Sequence, residues 1–116
     1  MDDNEVNLDQ FTGTENYYIH FTGLKYTDGI KYLADKTNCY WFIDIVASYQ
    51  KEEKVKNCHF QIWLLRVFKD HTAVVSMVED TNTPVIVFQE IEYADFSLGE
   101  IEVYCIDNVM LLKSEY

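Results

Sequence analysis

Polar and apolar positions along the chain change period once, near Asn57. Before it the spacing is helical. The stretch Tyr26-Thr27-Asp28-Gly29-Ile30 reads as a helix start, because Thr27 can accept free amide hydrogens of the first turn and Asp28 complements the positive dipole end. Ile30, Leu33 and Ala34 then form an i, i+3, i+4 apolar stripe, with Lys31 and Asp35 four apart outside it and Thr37-Asn38 closing the helix. Cys39 to Tyr49 is apolar nearly all round, broken by Asp44 and Ser48, and belongs in a core under a sheet. A helix fits it best, although its β-branched content leaves a strand open. Lys51 to Asn57 is a charged connection.

After Asn57 the period falls to two. His59 to Phe68 is the strongest strand candidate, and Ala73 to Val78 follows a turn at Lys69-Asp70-His71. Asp80 to Thr83 is a turn cluster, Pro84 opens a strand from Val85 to Glu92, and Ser97-Leu98-Gly99 leads into Glu100 to Ile106. Asp107-Asn108 is a hairpin dipeptide, after which Val109 to Leu112 returns. Helices followed by strands on short turns predict an α+β fold: N-terminal helices packed on a C-terminal antiparallel sheet of four or five strands, in meander order. Leu8 to Gly23 mixes aromatics with turn formers, so one helical turn around Thr14 to Tyr17 is expected, pinned to the core by its rings. Residues 1–7 are polar and predicted flexible, which leaves one domain over residues 8–116.

Composition narrows the function more than the fold. A hydrophobic fraction of 48% excludes intrinsic disorder, and 16% aromatics suit a small core or a contact surface. Cys39, Cys58 and Cys105 are an odd number without paired spacing, and the N-terminus is acidic with no apolar stretch. Both argue against a disulfide framework and a signal peptide, and so for a cytoplasmic protein with reduced thiols. The longest apolar run, Cys39 to Ile43, is too short to span a bilayer.

The net charge of −11 is unevenly spread: ten acidic and eight basic residues precede Asp70, while from Asp70 to Tyr116 there are ten acidic residues and only Lys113. Direct nucleic-acid and membrane binding are therefore not expected, since both need a positive face. Catalytic patterns are missing too. No nucleophile elbow surrounds a serine, and on a strand Cys58 and His59 would point apart. No close Cys/His pair offers a metal site, and the four glycines stand alone, so no metal, cofactor or catalytic residue is assigned.

Paired carboxylates remain. Glu90 and Glu92 lie two apart on a predicted strand, as do Glu100 and Glu102, and the second pair must face solvent because Ile101, Val103 and Cys105 take the buried side. Solvated carboxylates make poor general acids. Side chains two apart on a strand sit about 7 Å from each other, of the order of a nucleic-acid phosphate spacing. Two adjacent acidic strands with Asp95 between them would form a carboxylate array fitted to a basic groove, with Tyr93 and Tyr104 as anchors. The expected partner-binding set is Glu90, Glu92, Tyr93, Asp95, Glu100, Glu102 and Tyr104.

Several stretches occur together: Phe11-Thr12-Gly13-Thr14-Glu15-Asn16-Tyr17-Tyr18, Tyr26-Thr27-Asp28-Gly29 with Lys31-Tyr32-Leu33-Ala34, Tyr40-Trp41 with Ile43-Asp44, Gln89-Glu90-Ile91-Glu92-Tyr93, and the terminal Ser114-Glu115-Tyr116. From about Leu8 to Tyr116 the chain resembles a family of small uncharacterised bacterial proteins often carried on phages, plasmids and integrated elements. The resemblance brings no activity with it. It implies an accessory role of the anti-CRISPR kind, in which a non-enzymatic acidic protein docks on a basic nucleic-acid-binding surface of a host defence effector. The alternative is a structural or regulatory interaction module, a homodimer being one form of it, whose acidity serves solubility only.

Overall fold

The computed structural model describes residues Val6–Tyr116, so the predicted flexible N-terminus lies outside it except for Val6 and Asn7. Among the described residues, three short helices lie against one face of a seven-stranded sheet. The elements run β1 (Tyr17–Ile19), β2 (Lys25–Thr27), α1 (Asp28–Thr37), α2 (Tyr40–Tyr49), α3 (Glu53–Lys56), β3 (Phe60–Val67), β4 (Ala73–Val78), β5 (Val87–Ile91), β6 (Glu100–Ile106) and β7 (Val109–Leu112).

Helix α1 starts where its sequence directs. The Thr27 hydroxyl accepts from the Ile30 N–H at 3.3 Å, and Asn38 ends the helix in the left-handed region at φ 57°. Ile30, Leu33 and Ala34 are buried as their stripe predicts, and the stretch after Cys39 is helix from Tyr40 to Tyr49, with Phe42, Ile43, Val46 and Ala47 in the core. These residues meet Trp63, Leu65, Val75, Met77, Val103 and Cys105, which alternate along the central strands.

The predicted four- or five-stranded antiparallel meander is overturned. The strand order is β1-β2-β7-β6-β3-β4-β5, and β2 pairs with β7 in parallel, so the sheet is mixed and draws on both ends of the chain. After β5 the chain does not turn back beside it. Ala94 and Phe96 plug into the core, the Ala94 N–H donates to the His71 carbonyl at 2.7 Å, and the Val67 N–H donates to the Gly99 carbonyl at 2.7 Å. These contacts carry the chain across the end of the sheet, so β6 enters on the far side of β3. The expected helical turn around Thr14 to Tyr17 is absent, and the segment instead ends in β1, which forms a hairpin with β2. Three-residue strands are too short for a period to show in sequence.

Two carboxylates fix this N-terminal addition. Asp28 accepts from the Glu15 N–H at 3.0 Å, the Asn16 N–H at 3.2 Å and the Tyr18 hydroxyl at 2.9 Å, while its own N–H donates to Thr14 Oγ1. These donors hold its carboxyl below the usual range, the Glu15 amide contributing most. At the other end of the chain, Glu115 accepts from the Thr27 hydroxyl at 2.6 Å, the Gly29 N–H at 3.0 Å and the Leu112 N–H at 2.9 Å. Position 29 needs glycine because a Cβ there would lie 2.5 Å from Glu115 Oε1 and 2.6 Å from Leu112 Cδ1. The stretches around Thr14, Asp28 and Glu115 thus converge on the positive end of α1, where carboxylates are favoured.

Candidate functional site

Residues paired across neighbouring strands share a face, so the bare face of the sheet can be followed in rows. One row runs Glu100, Arg66, Val74, Glu90; the next runs Glu102, Leu64, Ser76, Phe88. A third holds Leu111, Tyr104, Ile62 and Val78. Beyond it lie Val109, Ile106 and Phe60, and Tyr116 packs edge-on against Phe60 and Tyr104 with ring centres 5.3 and 5.6 Å away. This face is largely apolar with a charged margin.

The structure divides the seven expected binding residues. Glu100, Glu102, Tyr104 and Glu90 share the bare face, but β5 and β6 are separated by β3 and β4, about 14 Å in all. The expected array on two adjacent strands does not form. Glu100 is also taken by Arg66, Nε to Oε1 at 3.0 Å, and Glu102 by Lys113 at 2.9 Å. Glu92 lies just past the end of β5. Tyr93 and Asp95 belong to the loop between β5 and β6, which alternates Tyr93 and Asp95 outward with Ala94 and Phe96 inward. Tyr93 stacks on His71 with centroids 5.2 Å apart, and the loop faces the end of α1 and Trp41.

Charge sorts these positions further. Between Asp70 and Asp95 there are six carboxylates and no lysine or arginine. None of the six enters an ion pair among the described residues. Asp70 is used within its own turn, where the Thr72 hydroxyl and N–H bond to it and hold its carboxyl low. Glu90, Glu92 and Asp95 face solvent along the β5 edge and its following loop. Phe88, 61% exposed, lies two residues before Glu90 on the same face of β5, and Val85, 56% exposed, borders the same surface hollow as Phe88. Unopposed carboxylates on an edge strand with exposed apolar side chains can steer and then hold a cationic surface.

Reactive groups elsewhere are spent on structure. All three thiols are free and buried; burial pushes Cys105 up to about 12 and raises Cys39 and Cys58 as well. One chain of hydrogen bonds escaped the sequence. His20 Nδ1 meets Thr22 Oγ1 at 2.9 Å, and its Nε2 meets Asp44 Oδ1 at 2.7 Å. The Thr22 N–H points at the same Nδ1, so that nitrogen is an acceptor and Nε2–H donates to Asp44. The sequence is hydroxyl, imidazole, carboxylate, but the neighbouring Gly23 N–H is bound to the His20 carbonyl and the Leu24 N–H approaches Thr22 Oγ1 itself. Those amides are not left free to hold an oxyanion, and the relay closes the β1–β2 turn. Its members lie 2 and 24 residues apart, a spacing with no signature.

Residues 2–116 match the model of a family of unknown function, DUF6876. The chain belongs to that family. No curated protein and no solved structure matches it. The described residues of this DUF6876 chain contain no helix long and apolar enough to cross a membrane. They also contain no group of three or more His, Cys, Asp or Glu placed to hold a metal ion.

Proposed function

We propose that the protein is a non-enzymatic binding protein whose acidic β4–β5 edge docks on a basic surface of a protein partner. The observation that carries this reading is the run of six carboxylates from Asp70 to Asp95, outside every ion pair among the described residues, on edge strand β5, in its following loop and in the turns at either end of β4. Like charges without a counter-charge raise the energy of the free protein, and a cationic partner relieves the repulsion. A nucleic-acid-binding groove presents such a surface, and a host defence effector of the CRISPR kind, the partner class implied by the resemblance, is the proposed instance. Three buried free thiols support a reducing, cytoplasmic setting for this encounter.

The test is capture from host lysate with the tagged protein, at low and at high salt, with and without added DNA. The wild type is expected to retain a nucleic-acid-binding protein that salt and DNA both displace. Glu90→Lys with Glu92→Lys should abolish retention, whereas Glu100→Lys with Glu102→Lys, on a strand three places away, should only weaken it. Equal capture by the β5 variant and the wild type would refute the proposal.

A second reading rests on the bare face itself. Arg66 and Lys113 neutralise Glu100 and Glu102 there, which leaves Leu64, Tyr104 and Phe88 on a face that, among the described residues, carries no helical layer. Such a face suits a symmetric contact with a second copy. Light scattering that gives a dimer for the wild type and a monomer for Phe88→Ser would establish it.

A further inference from the structure

We propose that the cleft between the end of α1 and the β5–β6 loop receives a cationic side chain of the partner, arginine by preference. The inference rests on the reading of a basic protein partner and gives it a point of attachment. The cleft encloses about 470 Å³, and its lining includes Trp41, Tyr93, Asp95, Asn38 and Ser97. Three features of this lining favour positive charge, and they come from different parts of the chain.

The carboxylate comes first. Asp95 is exposed and outside every ion pair among the described residues. Aromatic faces come second. Trp41, from the first turn of α2, and Tyr93, from the loop, both line the cleft, and a guanidinium can lie flat against either ring while its edge bonds to a carboxylate. The third is the helix end. Thr37 and Asn38 close the ten-residue α1, so the negative end of its dipole is at the cleft wall. An anion would meet all three unfavourably.

The walls are fixed before any ligand arrives. Ala94 and Phe96, 4% and 6% exposed, anchor the loop on either side of Asp95. Tyr93 is held by its stack on His71, and the His71 ring meets the Ala94 carbonyl through Nδ1 at 3.3 Å. Pre-set walls lower the ordering cost of binding. Among the described residues Lys36 is the one cation in the lining, and its ammonium sits over the Tyr32 ring one turn back, 5.7 Å from the centroid. Removing that charge should help a cationic guest.

The test uses the whole chain and two blocked tripeptides, Gly-Arg-Gly and Gly-Gln-Gly, followed by NMR. The arginine peptide is expected to shift the Trp41 indole and the amides of Tyr93, Asp95 and Ser97 saturably, and the glutamine peptide to leave them in place. Asp95→Asn should weaken binding about tenfold, Trp41→Leu should do the same, and Lys36→Gln should tighten it. Trp41 is partly buried, so Asp95→Asn, at an exposed position, decides the matter if the tryptophan variant misfolds. Equal shifts with both peptides would overturn the inference, as would arginine binding that Asp95→Asn leaves unchanged. If that happens while Glu90→Lys with Glu92→Lys still abolishes partner capture, this cleft is excluded and the edge-docking function stands. If the β5 variant captures as well as the wild type, that function fails independently of the cleft.

Discussion

The tripeptide Glu-Ile-Glu occurs twice, at Glu90-Ile91-Glu92 and at Glu100-Ile101-Glu102, and the fold treats the two copies differently. Both isoleucines turn toward the helices and are half-buried. The second copy opens β6, between β3 and β7, where Arg66 and Lys113 come within 3.0 Å of its carboxylates. The first copy ends β5 at the margin of the sheet, with β4 on one side and, among the described residues, no strand on the other. An interior strand has neighbours on both sides that can supply cations, and an edge strand has neighbours on one. Identical local chemistry is therefore neutralised in one place and left available in the other.

The severest way to break this contrast is to remove the support common to both strands. Trp63 is fully buried on β3, paired across to Val103 of β6 and Met77 of β4, with its indole N–H donating to Gln61 Oε1 at 2.8 Å. Trp63→Ala is expected to cost about 3–5 kcal/mol by denaturant unfolding and to release both regions in one transition. Separate transitions for the β5 and β6 sides would mean that the two regions do not share a core.

Next comes a lesion confined to the interior side. Gly29→Ala puts a methyl group against the Glu115 carboxylate and should cost about 1–3 kcal/mol, although alanine is the better helix former by roughly 1 kcal/mol. In a double-mutant cycle with Glu115→Gln the two costs should fall short of additive, while the β5 edge keeps its binding. Additive losses would separate position 29 from the Glu115 contact.

Asp28 extends the contrast to pH. Its folded pKa lies below its unfolded value, so its contribution is complete above the ordinary carboxylate range and is lost as pH falls through the lowered folded value. Asp28→Asn should therefore lower Tm at neutral pH, and the gap to wild type should close on acidification. A gap that widens in acid would reverse the assigned sign.

The smallest effects test the two tripeptides themselves. Glu100→Gln or Glu102→Gln strands a cation and should destabilise by about 0.2–1 kcal/mol. Glu90→Gln or Glu92→Gln relieves repulsion and should change stability by no more than about 0.5 kcal/mol, in the stabilising direction. The sign of the difference matters more than its size. The same sign at both copies would show that the ion pairs on β6 carry no net benefit.

Much of the local structure was legible in the sequence. Thr27, Ile30, Leu33 and Ala34 specified the start and buried face of α1, and alternation placed β3, β4 and β6 within a residue or two of their observed limits. Local spacing also turned Glu100, Glu102 and Tyr104 to one face, because a strand's side chains alternate whatever lies beside it. It could not place β1 and β2, whose three residues each carry no measurable period. Nor could it say which strands become neighbours, since pairing depends on where Ala94 and Phe96 bury and on Glu115 reaching back to Thr27 and Gly29 across the length of the chain.

The excess of negative charge after Asp70 was fixed by composition alone. Where that charge remains unopposed was decided by the order of the strands. Arg66 and Lys113 reach the second tripeptide because tertiary pairing sets them beside it, and the first is left at the edge. A sequence determines which way a side chain points through bonds a few residues long, whereas what it points at is set by segments far away in the chain.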